Sequence, residues 1–254
     1  MLPVQRRAET IGLLTRRGVV SVEDLAAQLD VSLSTIRRDL DELERQGIVR
    51  RVHGGAVLHT EGEDAPEKPP AMREVERQRE KQEIARRAVQ LIEPGSAVLL
   101  SGGTTTAALA PLLAEVEGIS VVTNSLAVAM QMADLQTDVI VLGGVLRRPE
   151  LSLLGTLVGI GLEELHLDHA IMGVYGVDPR SCLLGASAQE SQTDRLVAHS
   201  ADRLTVLADS SKFSRRSPHR IATLETVSEL VTSSQAAEEH VQTLRDQGLV
   251  VHVA

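Results

Sequence analysis

Apolar residues recur at intervals of three and four between Leu33 and Leu43, while hydroxyl and arginine side chains fill the positions between them. Such spacing predicts a helix with one buried stripe, formed by Leu33, Ile36, Leu40 and Leu43. The polar side chains then share the opposite face. Hydroxyls and backbone amides near a helix start suit phosphates, and arginine can donate twice to the acceptor edge of guanine in the major groove. The segment therefore indicates a DNA recognition helix, although an ordinary amphipathic surface helix has the same spacing.

The residues before this segment predict the rest of a helix-turn-helix. Residues 20–29 contain an apolar period that begins after Ser21, a typical N-cap, with Asp24 three residues further on. Residues 30–32 are a short polar turn, which lets two helices cross steeply enough for the second to enter a groove. An earlier helix over residues 4–17 is expected to pack behind this pair. Its core contacts would come from Ile11, Leu13 and Leu14.

The residues after the segment predict a small basic hairpin, or wing, beside the recognition helix. Gly47 is expected to end that helix. Two runs rich in β-branched or apolar residues, 48–52 and 56–58, then flank the turn His53-Gly54-Gly55. The predicted DNA contacts of this winged helix-turn-helix are Ser32, Ser34, Thr35, Arg37, Arg38, Arg50, Arg51 and His53.

Composition restricts the nucleic acid that the chain can bind. Residues 1–58 hold nine Arg, no Lys and eight acidic residues, a net charge of +1, so the overall charge of −9 leaves −10 for the remainder. An acidic body repels nucleic acid at long range, so binding must rest on the local arginine patch and on more than one copy of it. Tyr175 and Phe213 are the only aromatic residues. Base stacking, the usual mode for RNA and single strands, is therefore not expected, and duplex DNA remains.

Several other classes of site are not predicted. Cys182 is the only cysteine, so neither an intrachain disulfide nor a cysteine-based zinc cluster can form, and a cytoplasmic location follows. His166 and His169 have a ligand-like spacing, but no third ligand type clusters nearby, and we expect both to face solvent. The sequence contains no signal peptide pattern and no run of about 18 apolar residues, so we predict no membrane span. We also predict no metal and no cofactor.

Beyond residue 58 the sequence predicts a linker and then an α/β domain. Residues 59–71 contain three prolines and no apolar period, which is typical of an extended linker. A charged helix is expected over residues 72–92, and short apolar runs alternate with helices after it. Continuous apolar strands between helices favour a parallel sheet covered on both faces. The predicted strands are residues 97–100, 120–122, 139–142, 170–174, 204–207 and 250–253.

Small, hydroxyl and charged residues follow five of these strands. The carboxyl ends of parallel strands share one edge, where ligands bind, so we expect these residues to line one pocket. The Gly-Gly-Thr-Thr-Thr loop that opens a helix suits an anion, although such residues also serve simple turns. Asn124 fits a helix cap or a ligand contact, with Ser125 competing for the cap, and Lys212 fits a solvated surface or an anion contact. The predicted ligand site comprises Ser101, Gly102, Gly103, Thr104, Thr105, Thr106, Asn124, Asp178, Asp209 and Lys212.

These residues also resemble a known family. The string from Thr35 through Arg37-Arg38-Asp39-Leu40 to Gly47, Arg50 and His53-Gly54-Gly55-Ala56 is similar to the N-terminal signature of DeoR-type bacterial transcriptional repressors. Lys81 near a helix start, the Gly-Thr-Thr loop, Thr-Asn-Ser, Gly-Gly and Asp-x-x-Lys-Phe extend the resemblance across the chain. The resemblance implies an effector domain similar to ribose-5-phosphate isomerase and a phosphorylated sugar as its ligand. The phosphate would lie on the Thr104 to Thr106 loop, the sugar hydroxyls at Asn124, Asp209 and Asp178, and Lys212 on an anionic or carbonyl group.

Three positions depart from the family pattern. Ser101 stands where the family usually has Asp, Cys182 where glycine is common, and Asp194 where lysine is expected. Isomerase or deaminase chemistry needs a positioned base, which Ser101 cannot be. Asp209 and Glu190 remain as carboxylates but form no obvious acid and base pair. We therefore expect ligand binding without catalysis.

The sequence thus predicts a winged helix-turn-helix domain at residues 1–58, a linker at 59–71 and an effector domain at 72–254. The leading hypothesis is a transcriptional repressor of a sugar-metabolism operon. It would bind double-stranded operator DNA as a homo-oligomer, without a membrane, and respond to a phosphorylated sugar. One alternative is a sugar-phosphate isomerase or deaminase with a DNA-binding appendage. Another is a constitutive DNA binder whose C-terminal domain only oligomerises.

Overall fold

The chain forms two compact units, Met1–Glu76 and Arg77–Ala254. The computed structural model describes residues 3–17, 19–45, 48–52, 54–58, 70–148 and 150–254. Most of the predicted linker, residues 59–69, lies outside the described residues. Residues 70–75 form a helix that contacts the first helix of the chain, so they belong to the first unit and not to the effector domain.

The N-terminal unit combines helices with a three-stranded antiparallel sheet. Its elements are α1 (Pro3–Arg17), β1 (Val19–Ser21), α2 (Val22–Leu29), α3 (Leu33–Arg45), β2 (Val49–Val52), β3 (Gly55–Leu58) and α4 (Pro70–Val75). The strand order is β1-β3-β2. The predicted helices and the hairpin β2-β3 are confirmed, whereas strand β1, which pairs with β3, was not predicted. Ser21 caps α2 as expected, since its Oγ accepts the Asp24 amide at 3.0 Å. Gly47 lies outside the described residues.

The core of this unit lies between α1, α2, α3 and the sheet. Ile11, Leu13 and Leu14 are buried as predicted, and so are the α3 residues Ile36, Leu40 and Leu43. The prediction that Leu33 is buried was wrong, because 40% of its surface is exposed. Leu33 begins α3, and the core starts one turn later at Ile36. Asp39 is buried on this stripe, where its carboxylate pairs with Arg6 of α1.

The C-terminal unit is a parallel α/β structure. Its helices are α5 (Gln78–Val89), α6 (Thr104–Leu109), α7 (Leu126–Met132), α8 (Thr156–Glu163), α9 (Ala188–Ala198) and α10 (Glu238–Asp246). Its strands are β4 (Ala97–Leu100), β5 (Ser120–Thr123), β6 (Asp138–Val141), β7 (Val145–Arg147), β8 (Ser152–Leu154), β9 (His169–Gly173), β10 (Gly176–Asp178), β11 (Cys182–Leu184), β12 (Arg203–Ala208), β13 (Arg220–Thr223), β14 (Glu229–Thr232) and β15 (Val250–Val253). Short 3-10 helices span Ala110–Glu115, Ser210–Ser214 and Leu224–Thr226.

Seven of these strands form one sheet in the order β15-β14-β12-β9-β4-β5-β6, and every neighbouring pair is parallel. The six predicted strands are all present in it. Strand β14 was missed because its four residues include Glu229 and follow a serine, so they show no continuous apolar run. Two small antiparallel units, the hairpin β7-β8 and the sheet β10-β11-β13, accompany the main sheet.

Helices cover both faces of the main sheet, as predicted. On one face, α5, α6 and α7 pack through residues such as Ile84, Leu109 and Val128. On the other face, α8, α9 and α10 pack through residues such as Val158 and Val197. No helix in the described part of the chain is both long and apolar enough to cross a membrane.

Two further sequence predictions were wrong in this unit. The helix expected over residues 72–92 is interrupted, because Arg77 adopts a left-handed conformation with φ of 52° between α4 and α5. His169 was expected to face solvent, but β9 is a central strand and only 4% of this residue is exposed. Its Nε2 lies 2.7 Å from Thr205 Oγ1, and burial lowers the pKa of His169 to about 4. His166 is exposed, as predicted.

Candidate functional site

Three hydroxyl groups gather at the start of the recognition helix α3. The Ser32 Oγ accepts the Thr35 amide at 3.2 Å and lies 2.9 Å from the Ser34 Oγ and 2.8 Å from the Thr35 Oγ1. Ser32 therefore caps the helix. Because capping occupies its hydroxyl, Ser32 holds the other two hydroxyls in place at the helix end that favours phosphate.

The basic residues predicted to contact DNA differ in whether they already form an ion pair within the protein. Arg37, Arg38 and Arg50 are exposed, and none of them has an ion-pair partner among the residues that the structure describes. Arg51 instead donates from Nη1 to the Asp41 Oδ1 at 2.6 Å, and its amide donates to Glu44. His53 lies outside the described residues. The open basic surface of α3 thus consists of its two adjacent arginines.

A buried ion pair that the sequence analysis missed holds α3 against α1. The Arg6 Nε lies 2.5 Å from the Asp39 Oδ2, and its Nη2 donates to Oδ1 at 3.2 Å. This hydrogen bond raises the pKa of Arg6 above its ordinary value. Asp39 follows Ile36 by three residues, so the helical period itself could have placed it on the buried stripe.

In the C-terminal unit, the loops after β4 and β5 meet at the carboxyl edge of the main sheet. A methyl group at Gly102 would lie 3.5 Å from the Ser125 Cβ and 3.4 Å from the Ser152 Cβ. Gly103, with φ of 136°, occupies a backbone region that residues with side chains rarely adopt. The first amides of α6, which follows directly, have no carbonyl partner within the helix. The loop therefore presents donors at the edge where parallel sheets bind ligands.

The hydroxyls of this loop have two different roles. Thr106 donates to the Gly103 carbonyl at 2.9 Å, and the Ser101 Oγ accepts the Gly173 amide at 3.3 Å. Both side chains therefore hold the backbone of the site. The hydroxyls of Thr104 and Thr105 have no hydrogen-bond partner among the described residues. Thr104 and Thr105 are thus the members of the loop that are able to contact a ligand through their side chains.

The sequence left open whether Asn124 or Ser125 caps α7, and the structure decides for Ser125, whose Oγ accepts the Val128 amide at 3.3 Å. The Asn124 Nδ2 donates to the Leu153 carbonyl at 3.1 Å. Its Oδ1 is buried and has no hydrogen-bond partner among the described residues. Only 3% of Asn124 is exposed. A buried unpaired oxygen is costly in the free protein and is a typical feature of a site that receives a ligand donor.

Two buried lysines surround the carboxylate that follows β12. Asp209, Lys212 and Lys81 are each less than a tenth exposed. The Asp209 Oδ1 accepts the amide and the hydroxyl of Ser211 at 3.0 and 2.5 Å. Burial acts to raise the pKa of Asp209, but Lys212, these hydrogen bonds and Lys81 outweigh it and hold the pKa below its ordinary value. Asp209 is therefore ionised at neutral pH.

The carboxylate of Asp178 serves the hairpin β10-β11. It accepts the Arg180 amide at 3.0 Å and the Ser181 hydroxyl at 2.8 Å. These two hydrogen bonds, the backbone one foremost, lower the pKa of Asp178. The side chain thus stabilises its own turn, and its contact with a sugar hydroxyl stays a prediction.

Glu80 and Lys81, at the start of α5, were not among the predicted site residues. The Glu80 carboxylate accepts the Ser210 amide at 3.0 Å and the Ser233 hydroxyl at 2.5 Å, and it pairs with Arg77 at 3.2 Å. Ser210 directly follows Asp209, so these hydrogen bonds connect the first turn of α5 to the loop after β12, at the carboxyl edge of the main sheet. The signal was present in the sequence, because both residues lie at helical spacing from Ile84 and belong to the buried stripe of α5.

Two other charged clusters in the described part of the chain carry no assignment as a catalytic or metal centre. Ser187 caps α9 by accepting the Glu190 amide, and the Glu190 carboxylate accepts the Ser187 hydroxyl at 3.2 Å and lies 2.5 Å from the Arg147 Nη1, so it is not poised as a base. Three exposed side chains lie at the opposite edge of the sheet with possible ligand atoms within 4.8 Å of one another, namely His166, Asp168 and Asp202. The Asp168 carboxylate already accepts the Ala97 amide at 2.7 Å. We assign no metal to this exposed group.

A winged helix with an open arginine pair, together with an α/β unit whose polar side chains gather at the carboxyl edge of its sheet, is typical of a ligand-responsive transcriptional regulator. Residues 6–61 match the family model of the DeoR-like helix-turn-helix domain, and residues 76–234 match that of the DeoR C terminal sensor domain. The chain belongs to the DeoR family of transcriptional regulators.

Its relatives are similar over their whole length. The HTH-type transcriptional regulator GolR of Listeria innocua is 31% identical, with 100% of both chains covered. The glycerol-3-phosphate regulon repressor of Escherichia coli is 31% identical, with 97% of both covered. The HTH-type transcriptional regulator GlpR of Haloferax volcanii is 32% identical over 99% of this chain and 98% of its own. These relatives are named as regulators and not as enzymes.

Two solved structures show a more distant likeness. Ribose 5-phosphate isomerase A from Methanocaldococcus jannaschii covers 54% of both chains at 19% identity, with a TM-score of 0.40. Translation initiation factor eIF-2B from Pyrococcus horikoshii covers 88% of this chain and 86% of its own at 13% identity, with a TM-score of 0.45. The parallel α/β fold class rests on the strand order described above.

Proposed function

We propose that this protein is a cytoplasmic repressor of a sugar-metabolism operon that binds its operator as a homo-oligomer. A phosphorylated sugar would bind at the carboxyl edge of the C-terminal sheet and release or weaken the DNA complex. The names of the relatives, among them a glycerol-3-phosphate regulon repressor, support this class of regulated gene and ligand.

The DNA-binding part of the proposal rests on α3. Arg37 and Arg38 project from its exposed face without competing ion pairs in the described part of the chain, so either can reach a base edge or a phosphate. Ser34 and Thr35 suit the phosphate beside the helix start. Arg50 on the wing adds a cation next to them. A single unit of this size contacts few base pairs, so two copies on two half-sites are expected.

The ligand part of the proposal rests on one observation above the others, the buried and unpaired Oδ1 of Asn124. An amide oxygen with no donor in the described part of the free protein is matched to a ligand that brings one, and a sugar hydroxyl does so. It lies beside Ser125, which in turn adjoins the glycine loop. The pocket therefore combines a hydroxyl acceptor with a loop suited to an anion.

The charges of the pocket favour one orientation of the ligand. The ionised Asp209 repels a phosphate but accepts hydrogen bonds from hydroxyl groups. The loop amides, with Thr104 and Thr105, provide donors for the phosphate, and Lys81 and Lys212 provide positive charge nearby. We therefore place the phosphate on the loop and the sugar hydroxyls toward Asn124 and Asp209.

Transmission would begin at the first turn of α5. Glu80 connects this turn to Ser210, which is adjacent to Asp209. A ligand that moves the loop of Asp209 would therefore also displace the start of α5. The oligomer interface is the expected bistable element. A ligand switches such a system only if it prefers one arrangement, and a tight ligand without that preference changes nothing.

A thermal-shift screen with matched pairs of phosphorylated and free sugars tests the proposal. We expect a ribose, fructose, glycerol or amino-sugar phosphate to raise the melting temperature of the full-length protein, and its unphosphorylated form to have little effect. Lys212→Ala should lose the shift. NMR of the same mixtures separates a regulator from an enzyme, because turnover at roughly 1 per second or faster would favour the isomerase alternative. Equal shifts from the two forms of every sugar would contradict the proposed pocket.

A further inference from the structure

Tyr175 and Arg215 form a stacked pair at the carboxyl edge of the main sheet. The Arg215 Cζ lies 4.7 Å from the centre of the Tyr175 ring, and both residues are half-buried. Tyr175 lies two residues beyond the end of β9, and Arg215 directly follows the 3-10 helix Ser210–Ser214. The sequence analysis assigned neither residue to the ligand site. A cation over an aromatic face is attracted to it, so the ring fixes the position of the guanidinium.

The strand order places this pair in the middle of the ligand edge. Strand β9 lies between β4 and β12, so the residues after β9 separate the glycine loop after β4 from Asp209. Neighbouring strands are ~4.8 Å apart, which puts the ends of β4 and β12 roughly 10 Å from each other. A methyl group at Gly173, the last residue of β9, would lie 3.9 Å from the Gly102 carbonyl oxygen. A ligand that reaches from the loop to Asp209 therefore has to pass the segment that carries Tyr175.

Close packing fixes Arg215 from the other side. A methyl group at Gly176 would lie 3.1 Å from the Arg215 Cβ and 3.4 Å from the Lys212 carbonyl oxygen. The start of β10 therefore lies directly against the end of the 3-10 helix, with little room for a side chain between them. The backbone thus places Arg215 next to Tyr175, and the ring holds its charged group. A side chain fixed in this way loses little further conformational entropy when it binds a ligand.

The charge at this edge favours a contact between Arg215 and a phosphate. The two buried lysines that surround Asp209 exceed its single charge by one, and the nearby Glu80 is paired with Arg77. A phosphate monoester carries about −1.5 to −2 charges at pH 7, which one positive charge does not balance. The Arg215 guanidinium supplies the second. Its flat face lies on the aromatic ring, but its N–H groups lie in its own plane, in a fork that matches two phosphate oxygens.

We propose that Arg215, held over Tyr175, donates to the phosphate of the effector and makes the ligand edge selective for phosphorylated sugars. This inference deepens the proposed function and rests on it, because it adds a specificity-determining residue to the same ligand edge. Tyr175 acts as a positioning residue, since it holds Arg215 in place without having to contact the ligand.

Intrinsic fluorescence of the full-length protein gives a direct readout, because Tyr175 is the only tyrosine and the chain contains no tryptophan. Ribose 5-phosphate, fructose 6-phosphate and glycerol 3-phosphate would each be titrated beside ribose, fructose and glycerol. We expect at least one phosphorylated compound to change the tyrosine emission saturably, with a midpoint equal to its dissociation constant from calorimetry. The unphosphorylated compounds should leave the emission unchanged at the same concentrations.

Calorimetry of variants with that compound tests the role of each side chain. Arg215→Ala should weaken binding roughly 10- to 100-fold through the loss of a charge-assisted hydrogen bond, and Arg215→Lys should also weaken it, because an ammonium lacks the planar fork. Tyr175→Leu should cost roughly 3- to 10-fold, whereas Tyr175→Phe keeps the ring and should bind within about twofold of the wild type. Arg216→Ala is the matched control, because it removes the same charge from the next, exposed position and should bind like the wild type. If Arg215→Ala lowers the melting temperature of the free protein, Arg215→Gln takes its place.

The proposal would be overturned by unchanged tyrosine emission on saturation with a compound that calorimetry shows to bind, by wild-type affinity in Arg215→Ala, or by an equal loss in Arg216→Ala. A fall in affinity by the same factor for the phosphorylated and the free compound would also contradict it, because Arg215 would then be a structural residue. Each of these results leaves the proposed function standing, since the wild type still binds its ligand. Failure of the wild type to bind any phosphorylated compound would contradict the proposed function, and this inference with it.

Discussion

Replacing Asn124 with alanine should weaken effector binding while leaving the free protein almost as stable as before. In the free protein this change removes one hydrogen bond, from Nδ2 to the Leu153 carbonyl at 3.1 Å. The loss of such a bond costs ~0.5–1.5 kcal/mol. The change also removes the buried Oδ1, which has no partner among the described residues, and relief of an unpaired buried acceptor returns ~1–3 kcal/mol. The two effects oppose each other, and their central values of ~1 and ~2 kcal/mol leave a net change of ~1 kcal/mol in the free energy of unfolding.

The ligand complex should respond differently. If a sugar hydroxyl donates to Oδ1, its loss costs about one neutral hydrogen bond, and an affinity roughly tenfold lower corresponds to ~1.4 kcal/mol. Urea unfolding measures the first quantity, and calorimetry with the best sugar phosphate from the screen measures the second. Ser187→Ala is the matched control, because removal of this α9 cap should cost ~1 kcal/mol of stability without changing ligand affinity. An Asn124→Ala protein that is destabilised by more than ~3 kcal/mol and still binds the ligand like the wild type would contradict a role for Oδ1 in ligand binding.

Three other predictions concern DNA binding, the Glu80 hydrogen bonds at the start of α5, and pH. Arg37→Ala and Arg38→Ala should each weaken operator binding by ~1–3 kcal/mol at fixed salt. Arg45 pairs with Glu42 on the same helix, so Arg45→Ala is the control and should bind the operator like the wild type. Equal operator affinity of all three variants, measured by fluorescence anisotropy, would contradict this prediction. Glu80→Ala should lower the free energy of unfolding by ~3 kcal/mol or more, because the buried donors of Ser210 and Ser233 lose a charged acceptor. As a control in the same urea assay, Glu83→Ala, which removes a surface pair with Arg79, should cost under ~0.5 kcal/mol. Folding keeps His169 neutral down to a pKa of about 4, below the ordinary 6.5, so stability should fall as pH drops from 6.5 to 4. The fall should reach ~3 kcal/mol, and it should be absent in His169→Gln; a pH dependence unchanged in that variant would contradict the assignment.

Local periodicity predicted the elements of this fold well. The stripe Ile36, Leu40 and Leu43, the Ser21 cap and six strands of the main sheet all depend on residues close together in the chain, and each is confirmed. The meeting of strand ends at one edge also followed from the sequence, because it is a property of any parallel sheet.

Three buried polar residues escaped prediction because their partners are distant in the sequence. Asp39 is buried because Arg6, 33 positions away, neutralises it, and Glu80 is buried because Ser210, 130 positions away, donates to it. A charged residue is expected at the surface unless such a partner exists, and a single sequence does not reveal the pairing. The burial of His169 likewise depends on the neighbours of β9 in the sheet, not on its own flanking residues.

At the carboxyl edge of the main sheet, the sequence predicted which residues lie close together but not the hydrogen bond that each side chain forms. Ser101, Thr106 and Asp178 were grouped with the ligand contacts because of their chemistry, but each forms a hydrogen bond with nearby backbone. Short polar side chains commonly bond to adjacent backbone, and the choice between backbone and ligand depends on torsion angles that residue type does not determine.

Operator release tests whether a phosphorylated sugar, bound at the carboxyl edge of the main sheet, controls DNA binding as we propose. Full-length protein would be bound to an operator selected from random duplex DNA, and anisotropy followed while a sugar phosphate or its free sugar is added. We expect the phosphorylated form alone to change operator affinity. Lys212→Ala should bind the operator normally but respond only at ligand concentrations roughly tenfold or more higher. Equal responses to the two forms of the sugar, or a Lys212→Ala protein with the wild-type response, would contradict it.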